Sequence, residues 1–510
     1  MAVTLFAAIE VGSYEVEMKI YEISPKNGIK EVDRISHIIE LGSDSFLNKK
    51  ISNSMVEELC AVLKDYARIM RGYGITDNYR ACAASAIREA KNSVSILDRI
   101  YLVSGIKVEV LSNSELRFVH TKAVALEQPG FDDIIKEGTA LIDVGSGSVQ
   151  ITLFDAGRLL STHNIRIGSL RVLELISKIS QNDADYNEIL EEYIDNDLQT
   201  FKKIYLKGVK IKNIIATSEY IHYMFNGKAG ANGTVSVTPE EFDEIYKKLI
   251  NHTGIVEDME ISEEQEVLLI PTAIIYKKIM DMMNADIIYN LTVKLCDGMV
   301  VDYAQKCKKV KDIRDFNEDM VSAAGNIAKR YMCNEAHIRL LEDSALKIFD
   351  MMKKQHGLSK RERLLLQLAV ILHDCGNYVS IVSAGKASYS IIMATEIIGI
   401  SHKERLMIAN IVRYNKEEFD YEEIKKEGFS DRELLVIMKL TAILRICDAL
   451  DKSHKEKYTE LKMTYVKNEY ILKIDTNEDI TLEKGLFDTQ AELFEEVYGV
   501  KPVLKAVEKY

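Results

Sequence analysis

Two short stretches of this chain place a carboxylate, a glycine and a serine at the end of an apolar run. In Ala140-Leu-Ile-Asp-Val-Gly-Ser-Gly-Ser-Val-Gln-Ile-Thr-Leu-Phe154, apolar residues lead into Asp143. Gly145, Ser146, Gly147 and Ser148 follow before the apolar alternation resumes. Phe6 to Tyr21 repeats the grammar, with Glu10 in the place of Asp143 and Gly12 and Ser13 in the places of Gly145 and Ser146. The glycines remove side chains where an anion must approach the backbone, so that successive N–H groups can face it. A carboxylate at the strand end can hold a cation against that anion. One such stretch reads equally well as a Gly-rich hairpin with an acid at its turn; two suggest a shared purpose. A third set lies later: His337, the pair His373-Asp374, and Asp448. Two imidazoles and two carboxylates form a mixed N/O set suited to a divalent transition metal or Mg²⁺.

The period-2 pattern on either side of each Gly/Ser turn predicts a β-hairpin. Its repetition predicts a duplicated α/β fold with a phosphate between the halves, an architecture similar to that of actin, the sugar kinases and the ATPase domain of the heat-shock chaperones. Ser54 to Met70 has helical apolar spacing. Tyr79 to Ala90 reads as a strand passing through Ser85 into a helix that carries Arg88, which would either clamp an anion or form a surface ion pair of little consequence. Ile106 to Leu111 alternates as a strand, and Ser112-Asn-Ser-Glu115 is a helix N-cap sequence with Glu115 as its dipole-complementing acid. Strands are also expected at Ile211 to Ser218 and Asn284 to Val293. From about Lys306 to Ser453 the pattern is helical, with Leu364 to Leu372 apolar on nearly all faces, and Leu461 to Ile474 alternates as two strands around a turn.

A chain of 510 residues has room for roughly three or four domains. With 47% hydrophobic and 28% charged residues, it has the composition of a globular protein. It contains no apolar run of about 18 residues, so no transmembrane helix and no membrane partner are expected. The start, Met1-Ala-Val-Thr-Leu-Phe6, does not read as a signal peptide. Seven cysteines scattered singly fit a reduced, cytoplasmic compartment. The net charge of −13 argues against DNA and other broad nucleic-acid binding. The basic run Lys306 to Lys311 reads as a solvated linker face.

FAAIEVGS, AASAIREA, SNSELRF, LIDVGSGSVQ and IRIGSLRV, with the later LHDCG, IVRYN and ICDALDKS, make the chain resemble the exopolyphosphatase/guanosine pentaphosphate phosphatase (Ppx/GppA) family fused to a C-terminal HD-type domain. The resemblance implies duplicated actin-like, ribonuclease H-like α/β domains followed by an all-helical HD-type domain and a small α+β tail. The expected divisions are 1–125, 126–305, 306–455 and 456–510. It implies Mg²⁺-assisted hydrolysis of the terminal phosphoanhydride of inorganic polyphosphate, or of the 5′ phosphate of pppGpp, by a homodimer. By the same resemblance Glu115 is the general base for the attacking water and Asp143, with Glu10, is the Mg²⁺-linked carboxylate. Gly12, Ser13, Gly145, Ser146, Gly147, Ser148 and Arg88 then bind phosphate, while His337, His373, Asp374 and Asp448 complete an HD metal set.

Several positions depart from the family pattern. Glu10 stands for an Asp, Tyr14 and Glu15 for Asn-Ser, and Gln150, beside the phosphate loop, for a Glu. Ser218-Glu219-Tyr220 replaces Ser-Gly-Thr, and Gly298-Met-Val-Val-Asp302 lacks the arginine of Gly-Leu-Arg-Glu-Gly. Each lost anion contact would cost on the order of tenfold in rate. These departures raise the alternative of a polyphosphate or (p)ppGpp sensor that binds without turnover.

Overall fold

The apolar run after Val3 forms β1 (Thr4–Val11), paired antiparallel with β2 (Glu15–Ser24). A computed structural model describes residues 3–26, 28–179, 186–217, 219–225, 235–251, 263–310, 314–466 and 468–507 of the chain. With β3 (Gly28–Ile38), β4 (Tyr79–Ala83) and β5 (Val108–Val110), these strands make a sheet of order β3-β2-β1-β4-β5. The second sheet contains β6 (Thr139–Val144), β7 (Val149–Asp155), β8 (Arg158–Ile165), β9 (Asn213–Ala216), β10 (Val235–Val237) and β11 (Ile287–Asn290). Its order is β10-β11-β9-β6-β7-β8, so apart from β10 it repeats the first sheet strand for strand.

The repeat extends to register. Glu10 pairs across the ladder with Glu17, as Asp143 does with Gln150. The outer hairpin shifts register between Ile20 and Tyr21 in one sheet and between Leu153 and Phe154 in the other, at equivalent distances from the two turns. Such a shift bends and twists the strand that carries it, so both sheets curl alike. The central strands are apolar runs because both faces are covered. Strands β3 and β8 lie at sheet edges and carry mixed polar residues, so their sequences show little alternation.

The first sheet buries Ile9, Val16 and Met18 on one face against Leu59, Leu63 and Tyr66 of the helix Asn53–Gly72. On the other face Phe6, Ala8 and Tyr21 meet the helices Asn113–Glu127 and Leu295–Lys306 through Val119, Met299 and Val300. These two helices touch closely: a Cβ on Gly298 would lie 2.2 Å from the Val119 carbonyl oxygen, so glycine is required there. The helix 295–306 follows the second sheet in sequence but covers the first. The division expected at 125/126 and 305/306 therefore does not separate the halves, because the chain crosses back to complete the first. Asp297 fixes that return by accepting from Lys19 Nζ at 2.9 Å and Tyr21 Oη at 2.6 Å.

Two compact units result, Met1–Phe316 and Asn317–Tyr510. The break falls beyond the expected 305/306. Phe316 meets Phe118 edge-on with centroids 5.3 Å apart, and Arg314 donates to Asp132, which keep this segment with the first unit. In the second unit, helix Lys360–Leu372 is buried from Leu364 to Leu372 except at Gln367. The sheet of β12 (Glu460–Val466), β13 (Glu469–Asp475) and β14 (Val503–Val507) belongs to the same unit, since helix Thr481–Tyr498 packs on helix Asp431–Leu450. Among the described residues no helix is long and apolar enough to cross a membrane.

Candidate active site

The turns that end β1 and β6 open onto one cavity of about 210 Å³ in the first unit. Glu10, Gly12, Ser13, Arg88, Asp143, Gln150 and the four residues Gly145 to Ser148 all contribute to its wall. The turns close in the same way: Gly12 N–H donates to Glu15 O at 2.9 Å and Gly145 N–H to Ser148 O at 3.0 Å. Ser85 joins them, with Oγ 2.9 Å from Ser13 Oγ and only 2.4 Å from where a Cβ on Gly147 would lie.

Helix Ser169–Ile179 supports the second turn from beneath. Ser169 N–H donates to Gly145 O, Arg171 N–H to Ser146 O, and Arg171 Nε to Gly147 O at 2.7 Å. Arg171 also donates to Glu89 Oε1 at 2.7 Å, linking the second turn to the helix Ser85–Glu89 of the first half. A Cβ on Gly168 would lie 2.2 Å from Ser148 N, a backbone atom that cannot yield without moving the turn. Gly168→Ala is accordingly expected to weaken inorganic-phosphate binding at least about tenfold and to destabilise the first unit by about 1–3 kcal/mol. Calorimetric titration and urea denaturation test the two effects; unchanged affinity would show that the turn does not contact the anion.

Glu115 and Arg88 are both engaged in structure. Ser112 N–H and Oγ donate to Glu115 Oε2 at 3.0 and 2.6 Å, and Glu115 N–H donates to Ser112 Oγ at 3.3 Å, a complete capping box. Glu115 itself is not among the residues lining the cavity, whereas Leu116 and His120 on the same helix are. Arg88 donates to Leu111 O at 2.7 Å and Asn113 Oδ1 at 2.5 Å, tying the cavity wall to the N-terminus of the Glu115 helix.

The electrostatics favour a cation. Burial pushes the Glu10 carboxyl up to about 8, aided by Glu17, Glu15 and Asp143 and opposed by Lys294. Burial also raises Asp143, against His120 and Arg117. Glu17 Oε2 and Gln150 Oε1 are buried without a hydrogen-bond partner among the described residues. Glu10, Glu17 and Cys296 each place one ligand atom within 4.8 Å of the others, and the two carboxylates of that group supply oxygens of the kind a hard divalent cation takes. The nearby Cys296 thiol is held far above its usual value, first by burial and then by Glu17 and Glu10, so it stays protonated and donates to Ala8 O.

Four contributors escaped the sequence reading: Glu17, Arg117, His120 and Lys294. Arg117 and His120 lie on the helix that begins at the Ser112 cap, one turn apart, and Glu17 is the period-2 neighbour of Glu15. Lys294 had no local signal, because Glu15 and Glu17, each 3.2 Å from its Nζ, lie on another strand far away in sequence. That contact also offsets the repulsion that the Glu15 carboxylate alone would exert on an anion in the cavity. The segment Gly298 to Asp302, which lacks the family's arginine, lies inside a helix: Val301 is buried and Asp302 binds Lys122 at 2.8 Å and Arg80 at 3.2 Å. Ser218 and the Glu219 side chain lie outside the described residues, as does Lys311 of the basic run. Lys306 of that run pairs with Asp302 at 2.7 Å.

The second unit brings His337, His373, Asp374 and Asp448 together. His337 Nε2 lies 3.2 Å from His373 Nε2 and 3.7 Å from Asp448 Oδ1, and His373 Nε2 lies 3.4 Å from Asp374 Oδ2. Ligands on one ion at about 2.0–2.2 Å stand about 3.3–3.6 Å from each other in a tetrahedron, close to these spacings. His373 Nδ1–H donates to Val370 O at 2.7 Å, leaving Nε2 as the free lone pair, and His337 Nδ1 meets Asp451 Oδ2 at 2.7 Å. Burial lowers His337, but the Asp448 and Asp451 carboxylates outweigh it and bring it to about 9. Burial holds His373 below its usual value.

Twin sheets of one strand order, with acid–Gly–Ser turns opening on a common cleft, define an actin-like fold. The chain belongs to the Ppx/GppA phosphatase family, whose description it matches over residues 19–307, with domain III of that family matched over residues 321–496. It is 20% identical over 460 residues to a guanosine-5′-triphosphate,3′-diphosphate pyrophosphatase of Vibrio parahaemolyticus, covering 86% of each chain. It is 24% identical over 299 residues to a bifunctional 3-dehydroquinate synthase/phosphatase of Fusobacterium nucleatum, covering 56% of this chain and 44% of that protein, less than half of its length. A solved exopolyphosphatase from Cytophaga hutchinsonii shares the fold, with TM-score 0.52 and 18% identity over 60% of this chain and 99% of that one.

Proposed function

We propose that this protein is a Mg²⁺-dependent exopolyphosphatase that removes the terminal phosphate of inorganic polyphosphate. The observation that carries this reading is the single cavity lined by both Gly/Ser turns together with Asp143 and Glu10. The N–H groups of the two turns bind the oxygens of the terminal phosphate and fix its phosphorus. Asp143, with Glu10, would hold Mg²⁺, which when bound would neutralise charge on the phosphate oxygens. Glu115 accepts a proton from water as the water oxygen attacks that phosphorus, and the next phosphate of the chain leaves with its bridging oxygen. Positioning and charge neutralisation supply most of the rate in such a transfer. Seven unpaired cysteines agree with the same reaction in a reducing cytoplasm.

A second substrate, pppGpp, is supported by the likeness to the guanosine-5′-triphosphate,3′-diphosphate pyrophosphatase, which extends over 86% of this chain. Phosphate release from medium-chain polyphosphate and from pppGpp, each with and without Mg²⁺, decides between them. Faster release from polyphosphate is the expected result. Release from pppGpp alone would transfer the assignment to the nucleotide, and binding without release from either would make the protein a sensor, with Gln150 the first departure to test by reversion to Glu.

A further inference from the structure

We propose that Glu10, Glu17 and Cys296 form a transition-metal site on the first half of the cleft, one that takes a thiophilic divalent cation such as Zn²⁺ or Co²⁺ in preference to Mg²⁺. The site borders the cavity read above as catalytic and deepens that reading, but its cation is measured without turnover. One ligand atom from each of the three residues lies within 4.8 Å of the others. Ligands sharing one Zn²⁺ stand about 3.3–3.7 Å apart, so the side chains need to draw in by at most about 1.5 Å.

The ladder between β1 and β2 sets two of the three ligands. Glu10 pairs with Glu17, Ala8 with Lys19 and Phe6 with Tyr21. Residues two apart on a strand share a sheet face, and directly opposed residues share it too. Glu10 and Glu17 therefore stand side by side on the face that Phe6, Ala8 and Tyr21 bury. Helix Leu295–Lys306 covers that face and supplies Cys296, which is fully buried there. The second hairpin cannot do the same, because the position opposite Asp143 holds the neutral amide of Gln150. Of the two equivalent turns, only the first carries a cross-strand carboxylate pair.

Glu17 shows why a cation belongs there. It is 2% exposed, and its Oε1 accepts from Arg34 Nε at 2.6 Å and from Lys294 Nζ at 3.2 Å. Its Oε2 is buried with no hydrogen-bond partner among the described residues. A buried carboxylate oxygen without a donor is costly unless a cation meets it. Cys296 decides which cation. As a thiol its Sγ donates to Ala8 O at 3.6 Å; as a thiolate it is a soft ligand that suits Zn²⁺ and not Mg²⁺. Binding sends the Cys296 proton to solvent, together with that of Glu10 where its carboxyl is protonated. Three protein ligands leave a fourth position on a tetrahedral ion. Glu10 and Glu17 both line the cavity, so a water or an oxygen of an anionic ligand can fill it.

The test uses the full chain stripped of metal with EDTA and titrated with Co²⁺. Thiolate ligation gives Co²⁺ an intense charge-transfer band in the near ultraviolet that carboxylate and imidazole ligands do not, so cobalt on His337 and His373 adds nothing to it. A saturating band is expected in the parent. Cys296→Ser should abolish it, and Asp143→Asn should leave it in place. Glu17→Gln should weaken Co²⁺ binding at least about tenfold. Zn²⁺ at equivalent concentration should displace the band, and a large excess of Mg²⁺ should not. Circular dichroism checks that each variant folds; should Cys296→Ser fail to fold, the Glu17→Gln titration and the competition on the parent still decide. No band in the parent, a band that survives in folded Cys296→Ser, affinity untouched by Glu17→Gln, loss of the band with Asp143→Asn, or displacement by Mg²⁺ would each overturn the proposal. Phosphate release plays no part in these readouts: a parent that shows the band but releases no phosphate keeps this site and loses the exopolyphosphatase reading.

Discussion

Glu115→Gln is expected to lower phosphate release from polyphosphate by about 10²–10⁴-fold while leaving the melting temperature within about 2 °C of the parent. The substitution separates the observed helix-capping role of Glu115 from the general-base role proposed for it. As the third helical residue, Glu115 closes a capping box with Ser112, and glutamine fills that position nearly as well because its amide oxygen accepts the same N–H. A purely structural Glu115 would therefore tolerate glutamine in both stability and rate. A general base would not, since the amide cannot take a proton from water at neutral pH. The loss should fall on kcat with KM little changed, because a general base at Glu115 would meet the water rather than the bound phosphate. Glu115→Ala would add the loss of the cap, about 1 kcal/mol, and so confuse the two effects. A full rate in the glutamine variant would return Glu115 to its bland role and move the search for the base to the residues that line the cavity.

Why the cleft was legible and its supports were not follows from where each signal lies. The acid–Gly–Ser turns are local: apolar alternation, a polar break and glycines within fifteen residues encode hairpin and anion loop together. Their repetition encoded the duplication, and the structure extends it to the paired residues, Glu10 with Glu17 and Asp143 with Gln150. Lys294 reaches the site through a chain reversal that local patterning does not encode. Helix 295–306 returns to the first sheet because Leu295, Met299 and Val300 have apolar partners there and because Gly298 lets it touch Val119. With its arginine absent, Gly298 to Asp302 looked like a lost anion contact; in the structure it is a buried stretch of helix. In the second unit, the metal-type residues sat in recognisable pairs, but Lys416 and His454 lay just beyond the quoted motifs. Nothing in their spacing announced that three helices and a following turn would bring them to Asp374.

Glu10→Gln is expected to stabilise the metal-free first unit by about 2–4 kcal/mol at pH 8 and by almost nothing near pH 4.5. The Glu10 carboxyl rises from an ordinary 4.5 to about 8 in the folded chain, chiefly through burial and then through Glu17 on the paired strand. Between those values the folded state keeps a proton that the unfolded state has lost, so stability falls as pH rises. The favourable contribution is whole below the unfolded value and is lost on approaching the folded one. Each unit of separation is worth about 1.4 kcal/mol, reduced here because the cavity admits water. Glutamine keeps the neutral hydrogen-bonding form at every pH and removes the slope. Urea denaturation in EDTA, followed by tyrosine fluorescence since the chain has no tryptophan, should give curves for parent and variant that meet in acid and separate toward pH 8. Parallel curves would mean that Glu10 is neither desolvated nor pressed by Glu17. Magnesium should then reverse the order, because a cation binds the ionised parent and relieves the same strain, while the variant offers it one carboxylate fewer. Instability without the ion is thus the counterpart of a cleft shaped to bind one, and the difference between the two curves measures how far function has been favoured over fold at this position.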